Sequence, residues 1–165
     1  MNKYFARMAM LLALAVIMGY LEALIPIPFG IPGIKLGLAN FIIVLVMYLF
    51  GVRDAVIISI LRIILVGFML SNLSMIIYSL AGAVFSLSAM ALLKRFSTSS
   101  VYLVSAVGGV MHNTGQLVVA AILVGLDAIL WYLPILVIAG LVAGLLIGAL
   151  VSICYGRLKG LKAQE

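Results

Sequence analysis

The sequence predicts an all-α membrane protein, folded as a bundle of six transmembrane helices. Of its 165 residues, 67% are hydrophobic and 8% are charged, and the mean hydropathy is +1.43. A soluble domain of this size exposes too much surface to hide so apolar a composition. The apolar runs are continuous, as from Phe41 to Phe50 and from Ile129 to Val142. A membrane β-barrel would alternate polar and apolar residues, so helices are the expected spanning elements.

The predicted spans form a single transmembrane domain over residues 1–165. They lie at about 4–25, 36–50, 55–70, 73–93, 101–126 and 128–155. The first follows Lys3 and Arg7 as a signal peptide would, but it is long enough to cross a bilayer, so we expect it to be retained. Three of the four prolines fall in the loop at 26–35, between the first two spans. This loop is therefore expected to be rigid and non-helical.

The basic residues indicate the orientation of the bundle. With six spans, eight of the ten fall on one side, and only Lys35 lies in a turn on the other. The eight are Lys3, Arg7, Arg53, Lys94, Arg95, Arg157, Lys159 and Lys162. The positive-inside rule then places both termini in the cytoplasm. The net charge of +6 is thus explained by topology, which makes the lipid bilayer the expected partner and nucleic acid an unexpected one.

A group of polar residues interrupts the predicted spans and their outer ends. The group comprises Glu22, Lys35, Asn40, Arg62, Asn72, His112, Asn113 and Gln116. At about 1.5 Å per helical residue, all of them lie at the midplane or in the outer half. The inner half shows almost no polar groups except at its surface. Because polar groups within a membrane are costly, they predict a ligand pocket, open to the outside and closed toward the cytoplasm.

The charges of this group favour a small polar or anionic ligand, since Arg62 and Lys35 outnumber Glu22. Structural explanations remain open for the individual residues. Arg62 could pair with Glu22, or extend along the helix to the inner surface. His112 could be a packing residue, Lys35 an interfacial anchor, and Asn113 a hydrogen-bonding partner of a neighbouring helix.

Small residues form two further patterns. Ala9 and Ala13 are four residues apart on one face of the first span, and Gly140, Gly144 and Gly148 line one face of the sixth. Such faces allow close helix contact in lipid. We expect the glycines to pack inside the bundle, and the two alanines to form a docking surface for a partner.

Catalytic and cofactor motifs are missing from the sequence. It holds no phosphate-binding Gly-rich loop, its four acidic residues are scattered, and Cys154 and His112 are the only cysteine and histidine. A multi-cysteine or multi-histidine metal site is therefore excluded. We expect no cofactor, no metal and no enzymatic activity.

Four stretches carry a resemblance to a known family. They are PGIKLGLAN at 32–40, YLFGVRDA at 48–55, LR at 61–62 and HNTGQ at 112–116. They resemble the Gx transporter family, also labelled heptaprenyl diphosphate synthase component I, and the likeness covers nearly the whole chain. This family is similar to the S components of energy-coupling factor (ECF) transporters. Those six-helix proteins capture vitamins from outside and dock on a transmembrane coupling subunit driven by two ATPases.

The resemblance implies a substrate-binding subunit in the bacterial cytoplasmic membrane, which takes up a vitamin or cofactor precursor. Ala9 and Ala13 match the docking pattern of S components, and the segment from Pro26 to Gly33 corresponds to the loop that caps their substrate. A rival hypothesis follows from the second label: a noncatalytic membrane component of polyprenyl diphosphate or quinone synthesis. The chain lacks the aspartate-rich motifs of prenyl synthases. A purely structural membrane subunit is the third possibility.

Overall fold

The computed structural model describes residues 3–25, 37–96, 100–125 and 131–162, and within these ranges the chain contains helices and no strands. The helices are α1 (Lys3–Leu24), α2 (Leu38–Leu49), α3 (Val52–Met69), α4 (Leu73–Phe96), α5 (Val101–Val124) and α6 (Leu133–Lys162). The all-α prediction is confirmed. The largest difference from the predicted boundaries is at α6, which begins later than residue 128 and continues past residue 155 into the basic tail. Arg, Leu and Lys are good helix formers, which explains the extension.

The helix ends follow local sequence signals. Gly51 separates α2 from α3 with φ 117°, a backbone conformation that side chains disfavour. Asn72 caps α4, because its Oδ1 accepts the backbone N–H of Met75 at 2.9 Å. Ser100 caps α5 in the same way, accepting the N–H of Leu103 at 3.3 Å. Each cap satisfies an N–H group that the first helical turn leaves unpaired.

Contacts near the helix ends show that consecutive helices alternate in direction. The hydroxyl of Tyr4, at the start of α1, donates a hydrogen bond of 2.8 Å to Asp54, at the start of α3. The Nζ of Lys94, near the end of α4, donates a hydrogen bond of 2.8 Å to the carbonyl of Met47, near the end of α2. Following the predicted topology, we call this the inner end of the bundle. The outer end is where α1 ends and α2 begins.

Four helices are long and apolar enough to cross a membrane: α1, α4, α5 and α6. The chain is therefore a multi-pass membrane protein. Helix α2 has 12 residues, or about 18 Å, less than the roughly 30 Å of a hydrocarbon core. Helix α3 carries Arg53, Asp54 and Arg62 within 18 residues. Six crossings and the inside location of the termini remain predictions.

Helix α2 lies at the centre of the bundle. It packs against α1, α3 and α6, and a chain of contacts from α3 through α4 and α5 to α6 closes a ring. Its residues from Ile42 to Met47 are all buried, and Val46 and Met47 are fully so. Val104 of α5 and Val151 of α6 complete this core. A short central helix thus holds together longer helices whose outward faces are apolar.

The glycine-rich face of α6 packs directly against α5. A Cβ atom at Gly140 would lie 2.7 Å from the carbonyl oxygen of Gly109, and one at Gly148 would lie 2.9 Å from Cα of Tyr102. Gly144 is equally close to the α5 backbone at Ser105. These glycines pack inside the bundle, as predicted. Because they have no side chain, the backbones of α5 and α6 lie in direct contact.

Candidate ligand-binding site

A cavity of about 50 Å³ lies between the outer halves of the helices, and all six helices contribute to its lining. We call it the outer cavity. Its polar side chains are Glu22, Asn40, Arg62, Ser79, His112 and Asn113. Five of the eight predicted ligand-binding residues therefore share one space.

Arg62 enters the outer cavity from the middle of α3. Its Cδ packs next to Gly19 of α1, where a Cβ atom would lie 3.3 Å away. One terminal nitrogen, Nη2, donates to Oδ1 of Asn40 at 3.4 Å, a long distance for an N–H···O bond. The Nε atom is buried and has no hydrogen-bond partner among the described residues. Arg62 thus keeps unused hydrogen-bonding capacity inside the bundle.

Glu22 lies on the same side of the cavity but has a different partner. Its Oε1 accepts the backbone N–H of Gly37, which precedes α2. Gly37 has φ 77°, a left-handed conformation that glycine adopts freely. Within the described residues, Glu22 and Arg62 form no direct ion pair. The alternative in which they pair is therefore wrong, although the charge of Glu22 still acts on the guanidinium through space.

Arg62 also does not extend to the inner surface. Its partner Asn40 is in the first turn of α2, which begins at the outer end. The second structural alternative for Arg62 is therefore wrong as well, and the guanidinium stays at the cavity.

His112 is fixed by contacts on two sides. Its Nε2 lies 3.3 Å from Nε2 of Gln116, one turn further along α5. On the other side, the imidazole packs against Gly82 of α4, where a Cβ atom would lie 2.8 Å from the ring. Gln116 is buried, and this contact orients the imidazole from the next turn of α5. His112 is thus packed between helices and also lines the cavity.

Asn113 connects two helices while lining the cavity. Its Nδ2 donates to the carbonyl of Leu136 in α6 at 2.7 Å. The predicted hydrogen bond to a neighbouring helix is present. It helps to hold the α5–α6 wall in place.

Neither Asn72 nor Lys35 is among the described residues that line the outer cavity. Asn72 caps α4 and is exposed. Lys35, with the proline-rich segment from Pro26 to Gly33 and the rest of the loop at 26–35, falls outside the described residues.

The two alanines of the predicted docking surface, Ala9 and Ala13, are both exposed. The buried residues of α1 are Leu11, Ala15, Gly19 and Glu22. Ala9 and Ala13 therefore lie outside the stripe with which α1 packs on the bundle.

A second cavity, of about 20 Å³, includes polar side chains in its lining and corrects the prediction that the inner half is almost free of polar groups. We call it the inner cavity. Three buried serines line it, each from a different helix: Ser59, Ser86 and Ser105. In the sequence, Ser86 lies seven residues after Ser79, on the same face of α4, and Ser79 lines the outer cavity. The serines were not among the predicted site residues, because that group was chosen from charged, amide and histidine side chains.

A comparison with protein-family models matches residues 11–154 to the family described as heptaprenyl diphosphate synthase component I. Searches of curated proteins and of solved structures gave no match. The family match covers most of the chain. The chain therefore belongs to the heptaprenyl diphosphate synthase component I family.

Proposed function

We propose that the outer cavity binds a small polar molecule with an anionic group, and that the protein is the substrate-binding membrane subunit of an importer. The observation that carries this proposal is the Nε atom of Arg62, which is buried beside the cavity and has no hydrogen-bond partner in the described part of the chain. An unpaired donor on a buried charged group is costly. A carboxylate in the cavity would accept from Nε and a terminal nitrogen together, the geometry that guanidinium groups favour.

The surroundings of Arg62 support an anion rather than a neutral ligand. Glu22 accepts from Gly37 at the start of α2, where the helix dipole is positive. Its charge is thus partly compensated by the helix. Among the described residues, the guanidinium of Arg62 donates a hydrogen bond only to the amide oxygen of Asn40, so a ligand anion would provide the acceptors that it lacks.

The proposed transport role also depends on the orientation of the protein. With six crossings of the bacterial cytoplasmic membrane and both termini inside, the outer cavity would face the exterior. The resemblance to ECF S components then supplies the remaining steps. Ala9 and Ala13, exposed on α1, would dock on a transmembrane coupling subunit driven by ATPases, and reorientation would release the ligand, a vitamin or cofactor precursor, inward.

A second candidate function follows from the family description: a noncatalytic membrane component of heptaprenyl diphosphate or quinone synthesis. A diphosphate carries several negative charges. Arg62 is the only permanent cation among the described residues that line the outer cavity, and Glu22 opposes it. The charge balance therefore favours a singly charged ligand over a diphosphate.

Native mass spectrometry of the protein purified in detergent tests both functions. We expect the wild-type protein to retain a small polar molecule, and Arg62→Gln to bind it at least tenfold more weakly. Losing a charge-assisted hydrogen bond costs about 1.5–3 kcal/mol, which is of this order. Arg53→Gln is the matched control, because Arg53 is an exposed arginine at the inner end of the same helix.

The possible results are distinct. Equal retention by Arg62→Gln and Arg53→Gln contradicts binding through Arg62. A retained isoprenoid supports the second candidate. Wild-type protein without any bound small molecule in repeated preparations contradicts a binding function and leaves a structural role.

A further inference from the structure

The inner cavity lies directly behind His112 and adjoins the outer cavity. The two cavities have four lining residues in common: Asn40, Gly109, His112 and Ile147. No other described residue lines both cavities, so these four residues form the boundary between them. For one ligand to occupy both cavities, part of it would have to pass the imidazole of His112.

The lining of the inner cavity is mostly apolar, and its polar side chains among the described residues are those of Asn40, Ser59, Ser86, Ser105 and His112. Ser59 and Ser105 are each 2% exposed, and Ser86 is also buried. The Oγ atom of Ser105 has no hydrogen-bond partner within the described part of the chain. Buried hydroxyl groups are normally paired, so this atom indicates a missing partner inside the cavity.

The volume of about 20 Å³ limits that partner to one small group. About 10–15 Å³ of such space holds a single water molecule, and a hydroxyl group is of similar size. A cation is disfavoured, because Oδ1 of Asn40 already accepts from the positively charged Arg62. A carboxylate would find serine hydroxyls and the imidazole of His112, but no arginine or lysine among the described lining residues. A neutral group that both donates and accepts is the best match.

We propose that the inner cavity is a subsite for a hydroxyl group of the ligand, occupied by water when the ligand is absent. The inference rests on the proposed function, because the anionic end of the same molecule would bind Arg62. The ligand class is thereby narrowed to a small anion whose other end bears a neutral hydroxyl. Arg62 would select the charge, and Ser59, Ser86 and Ser105 would select the hydroxyl.

Matched pairs of small acids test the subsite. Each ω-hydroxy acid is compared with the alkanoate of equal heavy-atom count: 3-hydroxypropanoate with butyrate, 4-hydroxybutyrate with pentanoate, and 5-hydroxypentanoate with hexanoate. Affinity for the full-length protein in detergent is measured from the rise in melting temperature with concentration. For at least one chain length, we expect the hydroxy acid to bind wild-type protein roughly three- to tenfold more tightly, the effect of one hydrogen bond.

Two serine-to-valine variants test whether the preference for the hydroxy acid arises in the inner cavity. Ser105→Val, which fills the cavity and removes the unpaired hydroxyl, should abolish it. Ser88→Val should preserve it, because Ser88 is exposed on α4 only two residues from Ser86. If Ser105→Val does not fold, Ser105→Ala removes the hydroxyl alone and is expected to give the same loss.

The outcomes separate the subsite from the proposed function. Equal affinity within every pair, or a preference that survives in Ser105→Val or Ser105→Ala, overturns the subsite and leaves binding through Arg62 intact. If neither member of any pair binds, or if all bind Arg62→Gln as well as wild type, the proposed function fails and the subsite fails with it.

Discussion

Substitution of Gly144 by alanine should destabilise the protein, because the contact between α5 and α6 has no room for a methyl group. A Cβ atom at Gly144 would lie 2.5 Å from the carbonyl oxygen of Ser105 and 2.7 Å from Cα of Ala106. Ordinary contact begins at about 3.4 Å. Both neighbours are backbone atoms and cannot rotate away, so the two helices would have to separate locally by about 1 Å. Overpacking of this kind typically costs about 1–3 kcal/mol.

Thermal unfolding in detergent, followed by circular dichroism, measures this effect. For a chain of this size, that cost corresponds to a fall in melting temperature of about 2–12 °C. Gly156→Ala is the control on the same helix, because a Cβ atom there meets nothing within 4 Å. Alanine favours the helix by up to about 1 kcal/mol over glycine, so this control should be unchanged or more stable. Equal melting temperatures for the two variants would refute the close α5–α6 contact.

Two further substitutions distinguish structural roles from binding roles. Asn72→Ala should lower the free energy of unfolding by about 1 kcal/mol through loss of the α4 cap, and the affinity for small anions should not change. A large loss of affinity would instead show that Asn72 contributes to ligand binding. Because water is proposed to pair with the hydroxyl in the inner cavity, Ser105→Ala should lower the melting temperature. A rise in melting temperature, the result expected when an unpaired buried hydroxyl is removed from a dry cavity, would contradict this hydration.

Much of the fold could be predicted from composition and pattern. Continuous apolar runs and punctuation by glycine, proline and serine predict helices and their approximate ends, because these signals act locally. Helix α2 shows where this reasoning stops. Its apolar stretch resembles a lipid-facing span, but Ile42 to Met47 are buried by protein. Hydropathy does not distinguish lipid from a protein interior, since both are apolar.

The candidate site was predictable as a set of residues but not as a set of contacts. Charged and amide side chains within apolar helices stand out, and five of them share the outer cavity. Asn72 stood out equally in the sequence, yet it caps a helix. Asparagine is common at helix N-termini as well as in binding sites, so the residue type alone does not distinguish the two roles. Gly19 and Gly82 make room for Arg62 and His112. Their roles depend on which helices are neighbours, and a sequence does not state this.

The partners of Glu22 and Arg62 show why contacts matter for function. From sequence, opposite charges at similar depth suggest a self-contained ion pair, which would leave little reason to bind an anion. In the structure, Glu22 accepts from Gly37 at the start of α2, and the partial positive charge of the helix end offsets the carboxylate. Within the ranges that the structure describes, Arg62 makes one long hydrogen bond, to Asn40, and its Nε has no partner. Because a low-dielectric interior strengthens charge interactions, we propose that this separation of two opposite charges leaves Arg62 able to attract an anion, which a direct ion pair would prevent.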